Sequence, residues 1–217
     1  MFLIKAALMS QYMQKPWDTF FEEKMKQIFT DKKLVIDIGG GLRIAKEKNN
    51  RYDPKRAWLV PYAEKVDYKV MDPVPDYHPD LVGDIHALPF ADNSVDAIIC
   101  ISVLEHVEDP TKAFTEMYRV LKPGGYCFVY VPFLYYYHAE QGYYKDYWRF
   151  TKDILEHLAK PFSSFERQSV RGATEAWIRI SPLGRSSFLC DLGYLIDKMT
   201  GKLTSNQVGG YDLFLVK

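Results

Sequence analysis

The chain has 217 residues, 47% hydrophobic, 15% aromatic and 26% charged, which excludes a disordered or collagen-like polymer and leaves room for one sizeable core. Twenty-eight basic residues balance 28 acidic ones, so no net field draws the chain to nucleic acid or to an anionic membrane. Cys100, Cys127 and Cys190 are odd in number and lack CxxC spacing, which disfavours a disulfide framework and a zinc knuckle and suits a reducing compartment.

The opening MFLIKAALMS is apolar but interrupted by Lys5, and no run of about 18 apolar residues follows, so the expectation is a soluble cytoplasmic protein. Trp17, Phe20, Phe21, Met25, Ile28 and Phe29 recur at spacings of three and four, predicting an amphipathic helix within an N-terminal segment over 1–33. Leu34 to Ile38 reads as a buried strand that stops at Gly39, Gly40 and Gly41. Residues 42–65 carry many charges and no apolar stripe; a short helix followed by an inserted loop is expected.

Further strands are predicted over Val66–Met71, Asp80–Val82 and Val95–Val103. Asp109 and Pro110 form an N-cap and N1 pair that opens a helix through Leu121, and Lys122-Pro123-Gly124-Gly125 ends it. Tyr126–Val131, Phe165–Val170 and Tyr211–Val216 read as late strands, with a short helix over Thr151–Leu158. Strands alternating with helices predict one α/β domain over 34–217, with a mostly parallel sheet and a substrate-side insertion at about 133–160.

A strand running into Gly39-Gly40-Gly41 lets backbone pass close to a ligand, although a tight turn without a ligand fits the glycines alone. The dinucleotide fingerprint GxGxxG fails, because Ile44 stands at its sixth position. Asp37 would repel a pyrophosphate and suits a ligand bearing ammonium or sulfonium charge, which disfavours a nicotinamide oxidoreductase. Asp72, before Pro73 at the end of the second strand, is placed to accept ribose hydroxyls, and Asp84 to meet an adenine amino group; each is also compatible with a loop acid that caps a turn.

Taken in order, VIDIGGG, the acid of VMDP, GDIHALPFADNSVDAIICISVLEHVEDP and EMYRVLKPGGYCFVYVP resemble the class I S-adenosylmethionine-dependent methyltransferases, over about residues 34–132. The resemblance implies a Rossmann-like, doubly wound sheet of seven strands with the last reversed and helices on both faces. It implies that S-adenosylmethionine lies at the strand ends, with Gly39, Gly40 and Gly41 on its methionine side and Asp37 reaching the ammonium through water or a backbone group. Asp72 and Pro73 would hold the ribose, Asp84 and Ile85 frame the adenine, and Ser102, Val103 and Leu104 floor the cofactor. Arg43 stands where the family often has a further glycine, and the interval from Gly41 to Asp72 is longer than the family's, which leaves the methionine-carboxylate contacts open. The DPPY-type tetrad of amino-methylating nucleic-acid enzymes is absent, so no nucleic-acid partner is expected; a fold that binds the cofactor without turnover stays open.

Residues 126–150 hold twelve of the 33 aromatic residues and follow the strand whose end faces the methyl group, where an acceptor wall belongs. The expected acceptor is a small or glycan-like molecule, methylated at oxygen, with Tyr137, Tyr147, Trp148 and Arg149 as its contacts. His138 is the candidate general base and His106 the second candidate, each equally readable as a structural histidine. Asp146 and Arg149 also fit an ion pair that orders the loop. No clustered His, Asp and Glu set is visible in the linear sequence, so no metal is expected.

Overall fold

The computed structural model describes residues 14–44 and 52–217. The opening MFLIKAALMS stretch therefore lies outside the described residues. Seven strands, β1 (Leu34–Ile38), β2 (Asp67–Asp72), β3 (Leu81–Val82), β4 (Val95–Ile101), β5 (Leu121–Pro132), β6 (Ser164–Val170) and β7 (Gly210–Val216), form one sheet in the order β3-β2-β1-β4-β5-β7-β6. Neighbours from β3 through β5 are parallel, and β7 runs antiparallel between β5 and β6. This is the doubly wound class I architecture that the sequence predicts. The strand order reverses between β1 and β4, and in open α/β sheets the crevice beyond such a reversal takes ligands.

Side-chain alternation along the central strands feeds two cores. Val35, Ala97, Ile99, Ile101, Phe128 and Phe214 point to one face, where Met25, Ile28 and Phe29 of helix α1 (Pro16–Asp31) cover them. Ile36, Ile38, Ile98, Cys100 and Val129 point to the other, against Phe114 and Met117 of α3 (Pro110–Val120) and Leu155 and Leu158 of α4 (Lys152–Ala159). The helix starts follow local rules: Asp109 accepts from the Lys112 amide at 3.0 Å, with Pro110 behind it, and Thr151 caps α4. Cys100, Cys127 and Cys190 are buried thiols.

Over the described part of 42–65 a 3-10 turn spans Pro54–Leu59 and a short helix α2 spans Val60–Ala63, while 45–51, on which the expected first helix falls, lie outside the described residues. Two expectations are corrected. β5 begins at Leu121 and not at Tyr126, with a register shift against β4 between Val95 and Ala97. Helices α5 (Ala173–Ile180) and α6 (Ser187–Thr200) were not anticipated. They meet through Gly193, whose added Cβ would fall 2.8 Å from Ile178 Cδ1, and Asp197 of α6 accepts from the Thr174 and Glu175 amides at 2.8 and 2.9 Å. Among the described residues no helix is long and apolar enough to cross a membrane.

Candidate active site

The carboxyl ends of β1, β2, β4 and β5 and the segments that follow them open into one cleft of about 1720 Å³. On its floor Gly39 takes φ +77° and donates its amide to Met71 O at 2.7 Å, which ties the glycine loop to the end of β2. A Cβ on Gly39 would overlap the Val103 side chain, and one on Gly41 would lie 2.6 Å from Ile101 Cβ. Both glycines are thus required by the close approach of β4, and the backbone they leave bare faces the cleft.

Asp37 lies beneath this loop and does not line the cleft. Its oxygens accept from the amides of Gly41 at 3.1 Å and Leu42 at 3.0 Å and from the Tyr68 hydroxyl at 2.7 Å, with no exposed surface. Burial pushes its pKa up to about 6 against the lowering effect of those bonds and of Arg56. Asp37 therefore bears on the cleft through the loop that it shapes, by way of the Gly41 and Leu42 amides. Gly40 and Leu104 are buried and do not line the cleft. Asp72, Pro73, Asp84, Ile85, Ser102 and Val103 do line it. Asp72 is 5% exposed at the end of β2, with Oδ1 accepting from the Val74 amide at 2.9 Å. Ser102 takes φ +54° where β4 ends, a backbone state that non-glycine residues adopt sparingly and that recurs at functional sites.

Arg56, which the sequence reading passed over, comes from the lengthened interval after Gly41. Its guanidinium donates to Gly41 O beside Phe21 of α1, and Arg43 and Arg171 line the same cleft. Burial lowers the Arg56 pKa, while Asp37, Asp53 and Asp212 raise it.

Opposite the loop the fold assembles what the linear sequence hid. Glu105, His106 and His138 converge, with their ligand atoms all within 4.8 Å of one another, and all three line the cleft. This corrects the expectation that no such set exists. Glu105 is 1% exposed; its Oε1 lies 3.9 Å from His106 Nε2 and 3.7 Å from His138 Nε2, and its Oε2 has no hydrogen-bond partner. His106 Nδ1 lies 2.7 Å from Lys145 O; His138 Nδ1 lies 3.1 Å from Tyr136 O and 3.2 Å from Asp146 Oδ2. The Glu105 carboxylate above all, with Tyr136 and Asp146, holds the His138 pKa above its ordinary value despite burial.

Residues 36–129 match the model of the methyltransferase domain family. A structure of a SAM-dependent methyltransferase from Archaeoglobus fulgidus superposes with a TM-score of 0.57 over 90% of both chains at 14% identity. A possible histamine N-methyltransferase from Thermotoga maritima gives 0.51 over 89% of this chain and 87% of that one, at 18% identity. Residues 36–129 are thus similar to the methyltransferase domain family, and the sheet has the fold of class I S-adenosylmethionine-dependent methyltransferases. An uncharacterized methyltransferase of Mycobacteroides abscessus is 34% identical over 102 residues, 43% of this chain and 37% of its own length. The demethylmenaquinone methyltransferase of Renibacterium salmoninarum is 56% identical over 45 residues, 21% of this chain and 19% of its own. The chain thus covers well under half the length of these two curated relatives.

The class I methyltransferase donor fits the cleft on the structure's own terms: a glycine-bared loop, a nearly buried carboxylate at the end of β2 and the apolar Ile85 wall stand in one cavity. Along one side of the cleft, residues 133–151 form a strap held by a bridge between Glu140 and Tyr144 and by the stacking of Tyr143 on Tyr77, with centroids 5.3 Å apart. Tyr137 and Tyr147 line the cleft, joined by Tyr135, Tyr143 and Tyr144, whereas Trp148 and Arg149 do not. Trp148 Nε1 donates to Val107 O at 2.8 Å. Arg149 forms a two-pronged pair with buried Asp146 at 2.6 and 2.8 Å and also donates to the Tyr135, Tyr136 and Trp148 carbonyls, which commits its donors to the strap. The Glu105 carbonyl accepts from the Tyr147 and Trp148 amides at 2.7 and 3.2 Å, pinning the strap to the cluster.

Proposed function

We propose that this protein transfers the methyl group of S-adenosylmethionine to a hydroxyl oxygen of a small or glycan-like acceptor. The supporting observation is the single cleft that joins the Gly39, Asp72 and Ile85 constellation to a tyrosine-lined compartment bearing Glu105, His106 and His138. S-adenosylmethionine supplies an electrophilic methyl on a sulfonium, so the reaction breaks the S–CH3 bond, forms an O–CH3 bond, and releases S-adenosylhomocysteine and the acceptor's proton.

Asp72 takes the ribose hydroxyls, the backbone at Gly39 and Gly41 the amino-acid end, and Arg43 and Arg56 the carboxylate left without an obvious partner in the sequence. Tyr135, Tyr137, Tyr143, Tyr144 and Tyr147 offer flat apolar faces with hydroxyl tips, the chemistry on which a sugar or other hydroxylated ring stacks. Alignment of the two reacting groups accounts for much of the rate in such a displacement. The acceptor hydroxyl is activated at the cluster that includes His138, the side chain the sequence puts first.

Isothermal titration with S-adenosylhomocysteine tests the donor site: micromolar binding by the wild type and its loss in Asp72→Ala support the reading, and no binding by the wild type overturns it. Incubating the protein and labelled donor with a fractionated metabolite and glycan pool tests the acceptor. Label recovered as a methyl ether supports O-methylation, and label on nitrogen or carbon overturns that part. His138→Ala is expected to lower turnover about 100-fold while leaving homocysteine-product affinity unchanged.

A further inference from the structure

We infer that Glu105, His106 and His138 form a binding site for one divalent transition-metal ion, open to the acceptor side of the cleft. The inference begins with protons. His106 Nδ1 is 2.7 Å from the Lys145 carbonyl oxygen and His138 Nδ1 is 3.1 Å from that of Tyr136, and a carbonyl can only accept. In its neutral form each imidazole therefore carries its hydrogen on Nδ1 and presents an Nε2 lone pair towards Glu105.

Two imidazole lone pairs and a carboxylate then face one another in a nearly closed corner. The 3.7 and 3.9 Å separations exceed a hydrogen bond, and Glu105 Oε2 is buried with no donor among the described residues. An orphaned carboxylate oxygen that is 99% enclosed is costly unless a cation answers it. Metal–ligand bonds of about 2.0 to 2.2 Å put tetrahedral ligand atoms about 3.4 Å apart, close to the observed spacing.

The surroundings support the same assignment. Ligand histidines characteristically donate their second ring nitrogen to a carbonyl or carboxylate, which fixes the ring and raises its basicity. Here Lys145 O serves His106, and Tyr136 O with Asp146 serves His138, while Arg149 holds Asp146 in place from the far side. Two nitrogen donors and one carboxylate select zinc, manganese, iron(II) or cobalt over magnesium or calcium, which prefer oxygen ligands. The ion's remaining positions face the tyrosine compartment, where an acceptor hydroxyl binds and loses its proton to solvent more readily. That use of the site rests on the methyl-transfer reading; the site itself does not.

The test uses tag-free protein, freed of metal by chelator and dialysed, then titrated with Co2+ and with Zn2+. The expected result is one ion per chain with a dissociation constant below about 10 µM, a visible Co2+ absorption band displaced by Zn2+, and at least about 100-fold weaker binding in His106→Gln and in His138→Gln. Circular dichroism and S-adenosylhomocysteine titration accompany each variant, so lost folding is separated from lost ligation. No stoichiometric binding by the wild type, or undiminished binding in both folded variants, overturns the metal site. S-adenosylhomocysteine binding without metal binding overturns this inference alone, and metal binding without S-adenosylhomocysteine binding upholds it while overturning the proposed function.

Discussion

Gly39 and Val103 compete for one volume: the space in which Gly39 would carry a Cβ is already filled by the Val103 γ-methyl. The contact sets how near the glycine loop lies to the end of β4. Gly39→Ala is expected to lower the melting temperature and weaken S-adenosylhomocysteine binding by at least about 10-fold, from the overlap together with the roughly 1 kcal/mol of a left-handed alanine. The double variant Gly39→Ala/Val103→Ala relieves only the overlap, so calorimetry should find its loss smaller than that of Gly39→Ala. Equal losses would make backbone conformation the sole reason for the glycine.

Asp72 is expected to matter to the ligand more than to the fold. Hydrogen bonds to a charged acceptor contribute about 1.5 to 3 kcal/mol, so Asp72→Asn should weaken S-adenosylhomocysteine binding by about 10- to 150-fold. Titration calorimetry beside a thermal melt reads both quantities; an unchanged affinity would leave Asp72 as a cap for the Val74 amide.

Asp37 gives the protein a signed response to pH. Its folded pKa of about 6 lies above the ordinary 3.8, so its contribution to stability is fully present below about pH 4 and is lost as pH rises through 6. That interval corresponds to about 3 kcal/mol. In melts from pH 4 to 7, Asp37→Asn should show a flatter profile across this window than the wild type, with weaker S-adenosylhomocysteine binding because an amide cannot accept from both loop amides. Parallel profiles would rule the carboxyl out as the source of the slope.

Arg149 should prove structural. Arg149→Lys removes the second prong to Asp146 and the carbonyl contacts of the strap, and is expected to cost about 2 to 3 kcal/mol in chemical denaturation with S-adenosylhomocysteine affinity unchanged. Loss of donor binding at unaltered stability would return Arg149 to the ligand site.

Local rules made much of this legible. The strand ends at Ile38 and Asp72, the glycines after β1 and the Asp109-Pro110 helix start are each written within a few neighbouring residues. Helices α5 and α6 escaped because apolar residues stand on their outer faces as well, among them Trp177 at 63% and Met199 at 87% exposure, which blurs the helical period. The site residues that were missed or misplaced depend on distant pairings. Glu105 and His106 follow β4 whereas His138 follows β5, and only the strap brings their donor atoms together. Arg56 gained its meaning from where the chain returns after Gly41, while the Trp148 donor goes to Val107 O and those of Arg149 to Asp146 and to carbonyls of the strap, pairings that no local pattern announces.

The Glu105 carbonyl that takes the amides of both Tyr147 and Trp148 has one more consequence. The residue that presents its carboxylate towards the two imidazoles also anchors the covering segment by its main chain, so any displacement of that segment is carried by a single residue into the corner where Glu105, His106 and His138 meet.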